Sequence, residues 1–205
     1  MPDVTSYETG ELCWADVVSP DVDAAAKFYS QLFGWQADKA PQPEAGGYTM
    51  FSRNGKYVAA ASPPMDENIP PHWNVYLASS DVDDSAARIR SAGGTVMMEP
   101  FDVFDAGRMT FAVDPAGAVF GVWQAGNHIG SQLRREPGTI NWAEVQTRDR
   151  GAAQPFYEQV IAPFMKQRNP TARRQAVETL EDLTKLGESM RAAFVRAALR
   201  EYTEG

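Results

Sequence analysis

The sequence predicts an α+β protein built from paired βαβββ units, and three internal copies of one pattern support this fold class. Residues 14–29 return as residues 142–157, and a weaker copy at residues 74–89 keeps the Asp-Val-Asp start. Each copy is a short alternating apolar run, then an Asp that suits a helix N-cap, then an Ala-rich amphipathic stretch. The repeated unit is therefore a strand followed by a helix.

The segments that follow the first two helices also correspond, so each half is predicted to contain about three further strands. Residues 47–51 match residues 107–111, and turn signals at Asn54-Gly55 and at residues 114–117 predict a hairpin in each half. Residues 8–126 then form two βαβββ units. We expect them to make one domain, because neither half could bury its apolar face alone.

The third copy stops halfway, since a strand at Ile140 to Val145 and a helix are followed by no hairpins. Residues 127–161 are predicted to be this partial repeat, and residues 162–205 an amphipathic helical tail. A long helix needs its apolar stripe covered, and an unpaired strand edge invites pairing. We expect a homodimer joined through both; docking of the helix on its own chain is the alternative.

Composition excludes several classes of function. The formal charge is −8, from 27 acidic and 19 basic residues, and no basic run occurs, so neither nucleic acid nor an anionic membrane is an expected partner. The lone Cys13 excludes an intramolecular disulfide framework, and the chain shows no secretion signal or membrane span. We therefore expect a cytoplasmic protein.

Several motifs resemble the vicinal oxygen chelate superfamily, which includes glyoxalases, extradiol dioxygenases and bleomycin-resistance proteins. They are the Pro-Asp-x-x-x-Ala-x-x-Phe-Tyr run at residues 20–29 and the Phe-Gly-Trp helix end at residues 33–35. Similarity to an actinobacterial subgroup, whose members are often labelled glyoxalase/bleomycin-resistance proteins or hydroxylases, extends over residues 10–14, 107–109, 114–124 and 128–130. The resemblance covers residues 8–161 and implies the fold, with four units in close relatives. It does not fix the reaction, because this fold hosts many chemistries.

The resemblance also implies metal ligands, one His, Gln or Glu on the first and last strand of each half. In this chain those positions fall on Trp14, Asn74, Ala59 and Gly121. A divalent transition metal needs three or four N, O or S ligands that converge on one point. We therefore expect no metal and no other cofactor.

Alternation along the strands predicts which side chains line the concave sheet instead. The residues that this parity places there are Trp14, Asp16, Tyr57, Asn74, Tyr76 and Trp123, with Ala59 and Gly121 as small floors. Such an aromatic box suits a flat apolar or aromatic molecule. Alternatively, each aromatic ring only fills a core.

Asp16 and His72 are the candidate proton acceptors. A carboxylate at a half-buried strand position is costly unless it is hydrogen-bonded, and the third copy has Glu144 at the matching place. Ligand contact and a structural hydrogen bond both explain Asp16, and His72 is alternatively a structural group. In the loop at residues 101–108, Asp105 and Arg108 either orient a polar substituent or pair with one another.

These features predict a metal-free protein that binds a small, largely apolar or aromatic organic molecule in the sheet cavity, as in sequestration by drug-resistance members of the superfamily. One alternative is a metal-independent enzyme, such as a cofactorless hydroxylase or isomerase of secondary metabolism, with Asp16 or His72 as base. Another is a degenerate scaffold that assembles through its C-terminal helix.

Overall fold

A computed structural model describes residues 4–41 and 43–161, and within these ranges it shows one nine-stranded sheet and three α-helices. This confirms the α+β prediction. The helix expected in residues 162–205 lies outside the described residues. Within those ranges, no helix combines the length and the apolar character that a bilayer span requires.

The first unit contains five elements in the predicted order. They are β1 (Leu12–Val18), α1 (Val22–Phe33), β2 (Gln36–Lys39), β3 (Thr49–Arg53) and β4 (Lys56–Ser62). Asp21 caps α1 by accepting a hydrogen bond from the backbone N–H of Ala24 at 2.8 Å. Asn54 and Gly55 both have positive φ, as the predicted two-residue hairpin requires.

The second unit repeats this order with one strand divided in two. It contains β5 (His72–Ala78), α2 (Val82–Ser91), β6 (Thr95–Val96), β7 (Phe101–Val103), β8 (Gly107–Val113) and β9 (Val119–Ala125). Both short strands, β6 and β7, pair with β8. Asp81 caps α2 as Asp21 caps α1.

The two units join at the centre of one sheet. The main strand order is β2-β3-β4-β1-β5-β9-β8-β6, with β1 antiparallel to β5 and parallel to β4, and with β5 parallel to β9. Ala15 lies opposite Val75, so the two first strands cross-pair about equivalent positions. Each unit thus supplies the edge that the other needs.

The helices cover one face of the sheet. Helix α1 packs against a cluster that includes Val17 and Phe51, and the opposite half of this face packs Phe120 and Val122 against α2 and the third helix. The other face, here called the site face, carries a cluster of buried side chains. Its members include Trp14, Tyr76, Met109 and Trp123.

The partial third repeat forms only its helix, α3 (Arg150–Val160), which Asp149 caps through the N–H of Ala152. Phe156 and Val160 are buried against α2 and β9. The prediction of a strand at Ile140 to Val145 is wrong for this chain: these residues form no strand, and residues 141–146 are exposed. The counterpart strands β1 and β5 each pair along both edges, whereas no strand of the described residues pairs with residues 140–145. The homodimer stays a prediction.

Candidate functional site

The centre of the site face is the buried carboxylate of Asp16, which is 3% exposed. The hydroxyls of Tyr76 and Tyr48 donate to its Oδ2 at 2.8 and 3.2 Å. The amide nitrogen of Asn74 donates to its Oδ1 at 2.9 Å. Both carboxylate oxygens therefore have partners, and we call these four residues the Asp16 cluster.

The strand register brings the cluster together. Asp16 of β1 lies directly opposite Asn74 of β5, so their side chains project from the same face. Tyr76 lies two residues further along β5 on that face, and Tyr48 is the residue just before β3. The predicted grouping of Asp16, Asn74 and Tyr76 is thus present, whereas Tyr48 was not expected.

Burial governs the electrostatics of the cluster. Desolvation raises the pKa of Asp16, and the hydrogen bonds from Asn74, Tyr76 and Tyr48 counteract part of that rise. The pKa values of Tyr48 and Tyr76 are well above the ordinary value, first because the phenols are buried and then because the Asp16 carboxylate is close. Both phenols therefore remain neutral hydrogen-bond donors.

An aromatic wall adjoins the cluster and surrounds His128. The indole N–H of Trp14 donates to the Tyr48 hydroxyl at 3.1 Å. The His128 ring contacts Trp14 edge-on at 4.5 Å between centroids, with Trp123 at 5.7 Å and Tyr57 at 6.1 Å. The three predicted aromatics thus lie together, around a histidine that sequence reasoning did not place in the site.

The environment of His128 is apolar. Burial lowers its pKa to about 4, so the ring is neutral near pH 7. Its Nε2 is buried and has no hydrogen-bond partner among the described residues. In sequence, His128 follows β9 in a loop, and the resemblance of residues 128–130 to the actinobacterial subgroup did not indicate a place in the site. No periodicity indicates where such a loop turns back.

The prediction of Ala59 as a floor residue is wrong. Ala60 packs among the buried side chains of the site face, while Ala59 packs beneath α1 on the opposite face. The β3–β4 register shifts between Phe51 and Ser52, and this irregularity inserts one residue into β4. Counting from the hairpin glycine therefore gives the wrong parity beyond that point.

Within the described residues, packed aromatic rings occupy the place beside Asp16 where a ligand cavity was predicted. Trp14, Tyr76 and Trp123 are 4%, 5% and 7% exposed, so their rings fill the space in which a ligand was expected. A cavity of about 100 Å³ lies next to Trp123 and is also lined by Tyr7 and Ile129. A flat ligand at Asp16 therefore requires these rings to move.

His72, Asp105 and Arg108 have other partners. His72 is exposed and contacts the Asn74 side chain, which links it to Asp16. Asp105 accepts a hydrogen bond from Asn127 at 2.9 Å.

Arg108 forms ion pairs with Asp83 and Asp102, each at 3.1 Å. The hydrogen bonds and ion pairs that the structure gives Asp105 and Arg108 do not join these two residues to each other. Arg108 instead ties β8 to the first turn of α2 and to β7.

The donor set does not fit the metal that the resemblance implies. Trp14, Ala60 and Gly121 offer no ligand atom, and Asn74 already binds Asp16. A Cβ built on Gly121 would lie 2.3 Å from the Tyr76 ring, so a longer side chain there would displace that phenol. The described ranges contain no group of three or more His, Cys, Asp or Glu residues able to hold a metal.

Comparisons with known proteins agree on the family. Residues 12–122 match the model of the Glyoxalase/Bleomycin resistance protein/Dioxygenase superfamily. The chain is 46% identical over 165 residues to "Putative glyoxylase CFP32" of Mycobacterium bovis, covering 78% of this chain and 63% of that protein. It is 42% identical over 168 residues to "Anthracycline biosynthesis protein DnrV" of Streptomyces peucetius, covering 75% and 61%.

The chain thus spans less than two thirds of the length of these relatives. Among solved structures, the Mn(II)-bound glyoxalase from Novosphingobium aromaticivorans matches with a TM-score of 0.55 and 18% identity, over 75% of this chain and 53% of that one. This likeness shows the fold alone. The family match confirms the resemblance seen in the sequence, and the chain belongs to the Glyoxalase/Bleomycin resistance protein/Dioxygenase superfamily.

Proposed function

We propose that this protein binds a small, largely apolar or aromatic organic molecule at the site face beside Asp16, without using a metal. The observation that carries the proposal is the Asp16 cluster, a buried carboxylate with three side-chain donors inside an otherwise aromatic and aliphatic surround. Burying such polar groups costs free energy. Apolar residues would fill a core as well or better. The presence of these buried polar groups therefore supports a ligand-binding role.

The wall beside the cluster supports an aromatic ligand. Trp14 and Trp123 offer ring faces and edges once they move from their packed positions. Tyr48 and Asn74 keep partial exposure and are the members of the cluster that a ligand reaches first. Planar rings gain from stacking on such side chains, and a ring oxygen can exchange hydrogen bonds with the phenol or the amide. The Streptomyces relative named for anthracycline biosynthesis supports a compound of secondary metabolism as the ligand class.

A second candidate is catalysis with Asp16 as proton acceptor. Burial raises the pKa of this carboxyl, and a raised pKa makes a carboxylate a better base near neutral pH. Its two phenol partners could stabilise negative charge that develops on a bound molecule. Such an enzyme would act without a metal, in line with the donor set described above.

The test compares two acids at equivalent positions of the repeat, Asp16 and Glu144. A hydroxyanthraquinone serves as the probe, and quenching of tryptophan fluorescence reports binding to the full chain. We expect saturable quenching, with affinity weakened roughly 5- to 30-fold in Asp16→Asn, the scale of about 1–2 kcal/mol for a disturbed buried hydrogen bond. Glu144→Gln is the matched control and should leave the affinity unchanged.

The same variants separate a binder from an enzyme. If the probe is converted, turnover in Asp16→Asn should fall by roughly 100-fold or more while binding persists. Equal affinity of wild type and a folded Asp16→Asn protein would refute the assignment of the site. A near-stoichiometric transition metal after exhaustive dialysis, found by elemental analysis, would refute the metal-free part.

A further inference from the structure

Both ring nitrogens of His72 face carbonyl oxygens. Nδ1 lies 2.8 Å from the backbone oxygen of Pro70, and Nε2 lies 3.1 Å from Oδ1 of Asn74. A carbonyl oxygen only accepts hydrogen bonds, so this arrangement is fully satisfied when both nitrogens carry a proton, which is the imidazolium form. The nitrogen of the same Asn74 amide donates to Asp16. One amide therefore connects an imidazolium to a carboxylate.

A half-turn of the Asn74 amide gives a second satisfied arrangement, because it exchanges the amide oxygen and nitrogen. The nitrogen then donates to the lone pair of a neutral His72, and the oxygen accepts from the hydroxyl of a protonated Asp16. Each arrangement holds one proton between His72 and Asp16. With neither group protonated, one contact is lost, either between His72 and the Pro70 oxygen or at the Asn74 amide.

We propose that His72 sets the protonation state of Asp16 through the orientation of the Asn74 amide. The imidazolium favours the carboxylate, and a neutral imidazole that keeps its Nδ1 proton on the Pro70 oxygen favours the carboxylic acid. His72 is thus a positioning residue, exposed to solvent, that acts on a buried group two side chains away. The functional consequence rests on the proposed function, since it identifies what controls the group beside the ligand.

The other titratable groups around Asp16 do not compete for this proton. These groups include Tyr48, just before β3, and Tyr76 of β5. Both phenols have pKa values well above the ordinary value because they are buried beside the carboxylate. The thiol of Cys13, on β1, contacts the backbone oxygen of Tyr76, and burial raises its pKa to about 12. These groups stay neutral and do not take up the proton that His72 and Asp16 share.

The experiment follows the Asp16 carboxyl carbon by NMR in the unliganded full chain, labelled with carboxyl-¹³C aspartate and assigned with Asp16→Asn. In His72→Ala the titration midpoint of Asp16 should rise by about one pH unit, because the nearby cation and its hold on the amide are lost. His72→Lys should keep the midpoint close to that of wild type, since an ammonium donates to the Asn74 oxygen at every relevant pH. Lys39→Ala, which removes a cation paired with Asp23 elsewhere on the surface, is the control and should cause no shift.

An unchanged Asp16 midpoint in His72→Ala would overturn the proposal. Equal upward shifts in His72→Ala and His72→Lys would also overturn it, because the amide orientation would then not be what matters. The hydroxyanthraquinone titration of the same variants is read separately. A midpoint shift without any probe binding upholds the coupling and refutes the proposed function, while binding without a shift does the opposite.

Discussion

The strand segments of the first and third copies of the repeat share a Trp-Ala-acid-Val sequence and differ completely in structure. Residues 14–17 lie buried at the centre of the sheet, whereas residues 142–145 are exposed and form no strand. Asp16 receives donors from residues far away in sequence, whereas Glu144 accepts hydrogen bonds from Trp142 and Gln146, two positions away on either side. A strand pattern therefore specifies a strand only where neighbouring strands supply partners.

The helical half of the repeat behaves differently, because its hydrogen bonds are local. Asp21, Asp81 and Asp149 each accept from the backbone N–H three residues ahead, at 2.8, 3.0 and 2.9 Å. The cap and the i→i−4 bonds are formed within the segment itself. The third copy thus retains its helix although its strand segment forms no strand.

Paired tryptophan substitutions give the largest expected contrast between the two copies. Trp14 is 4% exposed and Trp142 is 62% exposed. Trp14→Ala should lower the free energy of unfolding by about 3–5 kcal/mol, the usual cost of a large cavity. Trp142→Ala should change it by no more than about 0.5 kcal/mol. Urea denaturation measures both, and a comparable loss in Trp142→Ala would mean that the third copy is buried in solution.

His128 packs on Trp14 of the first copy and should make the stability of the fold depend on pH. Its pKa falls from 6.5 in the unfolded chain to about 4 in the fold, so the unfolded state binds the proton first as the pH drops. This contribution to stability is complete above pH 6.5 and is lost between pH 6.5 and 4, by about 3 kcal/mol. His128→Phe keeps an aromatic ring and should remove this part of the acid dependence. Parallel pH profiles for the variant and wild type would contradict the buried neutral ring.

Substitution of the helix caps tests the feature that the first and third copies share, which is the capped helix. Asp21→Ala and Asp149→Ala should each lower stability by about 1 kcal/mol, because each leaves a backbone N–H of the first turn without its side-chain acceptor. Thermal unfolding of the two variants should therefore show similar shifts. If Asp149→Ala has no effect, α3 does not unfold together with the sheet.

The parts of the fold that the sequence could predict are those that depend on repetition and parity. The two complete units, their hairpins and the helix caps follow local patterns, and alternation brought Trp14, Asp16, Asn74 and Tyr76 to one face. Parity failed at Ala59 because an irregularity in β4 has no signature in the sequence. It also could not reveal that rings would close over the carboxylate, since packing depends on side chains from distant segments.

The cross-pairing of β1 and β5 about Ala15 and Val75 has an evolutionary consequence. Asp16 and Tyr76 occupy equivalent positions of the two units, yet one accepts a hydrogen bond from the other. A symmetric dimer of single units would carry the same residue at both positions, and two carboxylates there would repel one another. Fusion of two units into one chain allows the duplicated positions to diverge, so that one unit supplies the acid and the other supplies two of its three donors.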